Sequence, residues 1–436
     1  MKKERGGQMQ IHVVGQGQTL FGIAQAYSVT ADEIARANEL PDPSRIVVGQ
    51  SIVIPIDGQF YWVRQGDTLF SIGQRFGVPA QELAQINQIT LEGRLQPGTR
   101  LYIPPRAKTN AESNAYVEPM GETVSENLIA SARSRAPFLT YLAPFSYEVN
   151  RDGSLTAPPL NNFAAIAREN NAGLMMVITN LEEGAFSEEV GAAILNDEAA
   201  QNRMLDEIVS TAQNVGFRDI HFDFEFLRVE DREPYNQFLR KASARLKEQG
   251  LLISTALAPK TRADQPGQWY EAHDFRAHGE IVDFVVLMTY EWGYSGGPPM
   301  AVSPIGPVRE VIEYALTEMP ANKIMMGQNL YGYDWTLPYE PGGEYAKALS
   351  PNRAVALAYE RNVPIQYDQE AQAPFFEYTD DEGAEHVVWF EDARSIQAKF
   401  NLMKELGLRG ISYWKLGLPF PQNWLLLRDQ FNIRKF

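Results

Sequence analysis

Four ionisable side chains alternate with four apolar ones in Asp219-Ile220-His221-Phe222-Asp223-Phe224-Glu225-Phe226. In an extended strand successive side chains face opposite ways, so Asp219, His221, Asp223 and Glu225 share one face. Ile220, Phe222, Phe224 and Phe226 share the other. A carboxylic acid at the end of the strand, with a second carboxyl two residues below it, has the layout of a general acid whose proton is managed by a neighbour. Three phenylalanines and an isoleucine need an apolar layer, so a solvated edge strand does not fit. A strand of a (β/α)₈ barrel does. Its aromatic face would lie under the surrounding helices and its ionisable face would look inward, with Glu225 nearest the C-terminal rim where such barrels hold their chemistry.

The elements needed to build that barrel can be read between 114 and 436. Strand patterns fall at about 115–118, 138–146, 174–180, 219–226, 251–258, 282–290, 323–331 and 410–416. Helical patterns lie between them at 124–134, 160–171, 196–215, 232–249, 304–318 and 391–406. Eight strand–helix alternations predict an α/β TIM barrel. The connection from the seventh strand to the eighth is too long for a simple loop. Its short β-like runs at 365–367, 375–378 and 386–390 predict a small α+β lobe inserted at about 336–390.

The first hundred residues have another organisation. Residues 12–55 align without gaps on 61–104, with 17 of 44 positions identical. An internal match of that density marks a repeat. Each copy opens on V-x-Q-G-x-T-L-F-x-I, continues with a helical pattern ending at Asn38 or Asn87, and closes on a short strand into Ile-Pro. A βααβ unit is predicted twice, at 11–56 and 60–105, between a tail at 1–10 and a linker at 106–113.

Composition narrows the function. No cysteine is present, which excludes disulfides and thiolate metal sites. The five histidines form no ligand pair with metal-site spacing, and His273 and His278 read as surface or capping residues. No metal and no cofactor are expected. The net charge of −16 argues against nucleic-acid or anionic-membrane partners. That charge is uneven. Residues 1–110 carry 11 basic and 9 acidic side chains, so the excess lies in the barrel region. The basic start, Met1 to Gly7, is followed by no apolar run, so neither a secretory signal nor a membrane span is expected. The chain is expected to act as a monomer.

Both repeats resemble LysM modules, which bind β-1,4-linked glycans containing N-acetylglucosamine; the second carries the Q-G-D-T-L signature outright. The resemblance implies glycan contacts at Gly17, Thr19, Leu20 and Asn38, and at Gly66, Asp67, Thr68, Leu69 and Asn87. The candidate loops extend over 38–42 and 87–91. The first copy has Gln18 where the second has Asp67, so unequal binding is expected.

The fourth strand resembles the D-x-x-D-x-D-x-E signature of family 18 glycoside hydrolases, chitinase-like barrels. Asp223 and Glu225 match it, whereas Arg218 and His221 stand where the family has Asp. Asp219 returns an inward carboxylate, and His221, as an imidazolium, is expected to bridge Asp219 and Asp223. Met288-Thr289-Tyr290-Glu291-Trp292, Gln328-Asn329-Leu330-Tyr331 and Ser412-Tyr413-Trp414 agree with further strand ends of the family. The resemblance implies a retaining, substrate-assisted mechanism, an exception to the two-carboxylate scheme. Glu225 would be the acid and base, Asp223 would orient the acetamido group, and Tyr290 would hold its oxygen. Trp414 would form the floor under the sugar, and Glu291, Trp292, Asn329, Tyr331 and His221 would complete the substrate site.

Two such modules ahead of such a barrel are similar to the enzymes of spore-forming bacilli that degrade cortex peptidoglycan fragments during germination as N-acetylglucosaminidases. The resemblance implies a peptidoglycan or cortex glycan partner and a location in the spore. It also favours the bond on the reducing side of N-acetylglucosamine, because muramic-δ-lactam has its nitrogen tied into a ring. The alternatives are a chitinase and a non-catalytic, chitinase-like glycan-binding protein.

Overall fold

Eight parallel strands close on themselves in a computed structural model that describes residues 9–436. They are Thr109–Val117, Tyr141–Pro144, Gly173–Thr179, Phe217–Asp223, Leu252–Leu257, Phe284–Leu287, Ile324–Asn329 and Gly410–Trp414. Each pairs with the next, and the last returns to the first through Gly410 opposite Glu112 and Tyr413 opposite Ala115. The fold is therefore the expected TIM barrel. The predicted linker at 106–113 is shorter than expected, because the first strand already begins at Thr109. Its early residues pair with Phe431–Ile433 near the end of the chain.

The fourth strand is oriented as its alternation requires. Phe222 packs edge-on against Phe238 at 5.2 Å, and Phe224 stacks on Tyr235 at 5.7 Å. Both partners sit on helix Arg232–Glu248, which lies over the outside of the barrel. Asp219, His221, Asp223 and Glu225 are all buried on the inner side. Phe226 departs from the pattern. It takes a positive φ of 51°, leaves the apolar face, and is 41% exposed.

The inserted lobe starts at Gly332, slightly earlier than expected. It is a five-stranded antiparallel sheet built from Gly332–Leu337, Lys347–Leu349, Gln366–Asp368, Ala373–Thr379 and Glu385–Trp389, with helix Pro351–Glu360 against it. Its core joins Leu357, Ile365, Phe376 and Val388.

The repeats are two βααβ units. The first has Gln10–Val13, Leu20–Tyr27, Ala31–Ala37 and Ser51–Ile54. The second has Gln59–Trp62, Leu69–Phe76, Ala80–Ile86 and Arg100–Ile103. Residues 1–8 of the predicted tail lie outside the described residues, while Gln10 already belongs to the first strand. Threonines start three of the four helices, since their side chains accept otherwise unpaired N–H groups: Thr19 from Gly22, Thr30 from Glu33 and Thr68 from Ser71; the fourth starts after Pro79.

The first unit is seated on the barrel and lobe. The Val48 carbonyl accepts the Ile365 amide at 2.9 Å, and the Gly49 carbonyl accepts Arg394 Nη2 at 3.1 Å. Val53 joins the barrel core and Val47 the lobe core. The second unit rests on the first: Arg100 donates to the Ala26 carbonyl at 2.7 Å, and Tyr27 meets Trp62 edge-on.

Candidate active site

Glu225 lies just past the end of its strand, so its backbone needs another support. Asn180, at the end of the third strand, provides it. The Asn180 side chain donates to the Glu225 carbonyl and accepts the Glu225 amide, each at 2.9 Å. A further brace is His273. Its Nδ1 accepts the Ala258 amide, so its Nε2 carries the proton and donates to the Phe224 carbonyl at 2.9 Å. Burial pulls the His273 pKa down to about 4, in keeping with that neutral tautomer. His278 is also buried and bonds Thr255 at 2.9 Å. Neither histidine is the surface residue that the sequence suggested. His273 ties the acid-bearing segment to the fifth strand, and His278 ties helix Phe275–Ile281 to that same fifth strand.

The Glu225 carboxyl is held well above the usual carboxylate range, first by burial and then by the Asp223 charge beside it. Trp269 opposes this: its indole N–H donates to Glu225 Oε2 at 2.5 Å, favouring the ionised form. Trp269 also stacks on Phe226, with centroids 6.0 Å apart and planes 9° from parallel. The positive φ of Phe226 thus places a ring against the tryptophan that holds the acid. Asp223 is likewise shifted upward by burial, and its Oδ1 is buried without a hydrogen-bond partner. Two such carboxyls favour retention of a proton near neutral pH.

Below them runs a one-way relay. Tyr116 donates to His221 Nε2 at 2.9 Å, His221 Nδ1 donates to Ser254 at 2.7 Å, and Ser254 donates to Asp219 Oδ2 at 2.6 Å. Burial pulls His221 down to about 3, so it is neutral. The expected imidazolium bridge between Asp219 and Asp223 is therefore replaced by a neutral histidine that reaches Asp219 through Ser254. Fully buried, His221 lies beneath the site and not on a substrate-contacting surface.

Tyr290 stands three residues past the end of the sixth strand, with its pKa raised well above the ordinary value by burial, so its hydroxyl keeps its proton. Gly327 makes room for it. A Cβ there would lie 2.9 Å from Tyr290 Cε1 and 2.4 Å from the Leu287 carbonyl oxygen. Glu291 has a φ of 68° and accepts from the hydroxyls of Tyr331 and Tyr333. Trp414 is half-buried, edge-on to Phe145 at 4.8 Å and to Tyr116 at 5.5 Å, and it packs in one cluster with Tyr290 and Tyr331. Trp292 instead leans on the main barrel core. Asn329 is fully buried, donating to the Tyr331 carbonyl at 2.7 Å and accepting from Gln328. It shapes the turn beneath Tyr331 and does not face a ligand.

In the repeats the expected contact residues divide. Asn38 donates to the carbonyls of Ile34 and Val53 and accepts the Val53 amide. Asn87 repeats this with Leu83 and Tyr102. Both asparagines lock a helix to a strand. Leu20 and Leu69 are buried core. Asp67 accepts from Tyr61 and the Arg64 amide, whereas Gln18 accepts from His12 and the Gly15 amide, so the Asp-to-Gln difference preserves one loop closure. An open groove of about 1200 Å³ runs along the second unit past Gly66, Asp67, Thr68 and Leu91. In the first unit, exposed Gly17 and Thr19 lie at the corresponding loop. Its second loop, with Leu40, Asp42 and Arg45, faces a crevice of about 460 Å³ shared with Tyr359 of the lobe helix.

A closed barrel with a buried carboxyl pair at the rim of its fourth strand is the frame of a glycoside hydrolase. The chain belongs to the glycosyl hydrolases family 18, whose family model matches residues 115–418, and the LysM domain matches at 12–55 and 61–104. It is 69% identical to the cortical fragment-lytic enzyme of Bacillus subtilis strain 168, over 98% of this chain and 99% of that protein. It is 56% identical to the cortical fragment-lytic enzyme of Bacillus anthracis, over 98% of this chain and 99% of that one. The crystal structure of the spore cortex-lytic enzyme SleL of Bacillus megaterium superposes with a TM-score of 0.92 at 56% identity, covering 99% of this chain and 100% of that one.

Proposed function

We propose that the chain hydrolyses β-1,4 bonds of spore cortex peptidoglycan fragments as an N-acetylglucosaminidase during germination. The carrying observation is the buried Asp223–Glu225 pair, whose surroundings keep a proton on Glu225. Two cortical fragment-lytic relatives and the cortex-lytic SleL structure support the choice of substrate.

In this reading Glu225 donates its proton to the glycosidic oxygen as the C1–O bond breaks. The acetamido carbonyl oxygen of the same sugar attacks C1, giving an oxazolinium ion with retention to follow. Asp223 accepts a hydrogen bond from the acetamido N–H and stabilises the positive charge that develops. Tyr290 donates its hydroxyl proton in a hydrogen bond to the acetamido oxygen, and the Trp414 ring carries the apolar face of the sugar. Glu225, now ionised, takes a proton from the attacking water, and the ring opens. Trp269 assists that half of the cycle because it favours the carboxylate. The LysM domains hold the glycan, with the open groove of the second as its principal support.

The test is Glu225→Gln in the full chain, which preserves size and removes the acid. Expected is loss of hydrolysis with cortex binding retained; hydrolysis at the wild-type rate would overturn the assignment.

A further inference from the structure

The fifth barrel strand, Leu252–Leu257, leads into a loop over 258–274 that returns to helix Phe275–Ile281. The tip of this loop, from Thr261 to Gly267, is largely exposed, yet two side chains beyond it meet the acid-bearing segment. Trp269 donates to Glu225 Oε2, and Gln268 donates to the Phe226 carbonyl at 3.0 Å. Such bonds weaken steeply with misalignment, so the loop must deliver Trp269 to a fixed place. The short helix Gln268–Glu271 that carries both residues has no buried side chain of its own. Its packing does not fix that place, so the root of the loop has to.

The root closes around Lys260. Its side chain is fully buried, and Nζ donates to the Ala263 carbonyl on the outgoing limb and to the His273 carbonyl on the returning one, each at 3.0 Å. Gln268 and Trp269 lie between those two carbonyls. The returning limb is tied further, because His273 Nδ1 accepts the Ala258 amide at 2.9 Å and Arg232 pairs with Asp274 at 3.0 Å. Lys260 gains no ion pair in exchange: both of its acceptors are carbonyls, and Asp274, Asp264, Glu271 and Arg232 act on its charge without bonding it. Burial pulls its pKa down to about 8. A buried cation without a direct counter-charge costs stability relative to an apolar side chain of similar size. What the lysine contributes is geometric, two donors at one point that join the limbs.

We propose that Lys260 is a positioning residue for the hydrolysis, joining the two limbs of this loop so that Trp269 is held against Glu225. The inference rests on the reading of Glu225 as the acid. The test is a double-mutant cycle in the full chain, Lys260→Met with Trp269→Phe, read as the pH profile of kcat/KM on cortex fragments. Loss of the indole bond in Trp269→Phe raises the alkaline limb by about 1 unit, and Lys260→Met should raise it by a comparable amount by releasing the same bond. The double variant should go no further than either single one, since both changes act through one contact. Lys260→Leu supplies the same reading should the methionine variant fail to fold. A limb that stays in place in the Lys260 variants while the Tm falls would make the lysine purely structural and overturn the proposal. Shifts that add in the double variant would overturn it too. If Trp269→Phe itself left the limb in place, the reading of Glu225 would be what fails.

Discussion

Replacing Trp269 by Phe takes one hydrogen bond from the proposed acid while keeping an aromatic ring against Phe226. The indole N–H reaches Glu225 Oε2 at 2.5 Å and pulls the carboxyl pKa down against burial and the Asp223 charge. A hydrogen bond to a charged acceptor contributes about 1.5–3 kcal/mol, and one to a neutral acceptor about 0.5–1.5 kcal/mol. The variant therefore loses about 1–1.5 kcal/mol of preference for the carboxylate, or about 1 pH unit at ~1.36 kcal/mol per unit. The sign is upward, because the lost bond favoured the deprotonated form. In the proposed mechanism cleavage begins with Glu225 protonated, so its deprotonation in the free enzyme would set the alkaline limb of kcat/KM. That limb should move about 1 unit towards higher pH in Trp269→Phe. The assay is the pH profile of kcat/KM on cortex fragments. An alkaline limb that stays in place or moves downward would show that Glu225 is not the group titrating there.

Other consequences separate parts of the fold. Gly49 and Gly98 occupy equivalent positions with the same φ of 87°, but a Cβ on Gly49 would meet the Ile365 carbonyl oxygen at 1.8 Å while one on Gly98 would meet nothing within 4 Å. Gly98→Ala should cost about 1 kcal/mol of backbone strain, whereas Gly49→Ala should also unseat the first module and expose the 47–53 segment to limited proteolysis. Equal proteolysis of the two variants would contradict that docking. Lys399 is buried with Glu391 and donates to the Ser303 carbonyl, and Ser303 donates to the Thr289 carbonyl next to Tyr290. Lys399→Met should destabilise the fold by about 1–3 kcal/mol, because it leaves the buried Ser303 carbonyl without its donor and removes the positive charge that favours an ionised Glu391. Glu391→Leu/Lys399→Met should recover most of the Tm but not kcat, and full recovery of both would make the pair a matter of stability alone.

The alternation at 219–226 was legible because a barrel strand separates its two faces by sequence parity alone. That gave the inward carboxyls, the outward Phe222 and Phe224, and the barrel itself. What stayed hidden acts across the chain. Trp269 and Asn180 reach Glu225 from 44 and 45 residues away, and no local pattern marks either as its partner. His221 was placed on the correct face, but its neutral state depends on Ser254 and Tyr116 from neighbouring strands. Phe226 fitted the alternation and broke it, because the strand ends at Asp223 and the chain turns there. Asn38 and Asn87 stand at the end of a helix in both repeats. Sequence similarity shows that an asparagine is present, but only the structure shows its three hydrogen bonds to backbone.

The central claim is that Glu225 protonates the bond on the reducing side of N-acetylglucosamine. It is tested most directly by digesting purified cortex fragments, reducing the products with borohydride and identifying the new ends by mass spectrometry. Reduced N-acetylglucosamine ends with the wild-type chain, absent with Glu225→Gln, are the predicted result. Reduced muramic ends, or the same ends from Glu225→Gln, would contradict it.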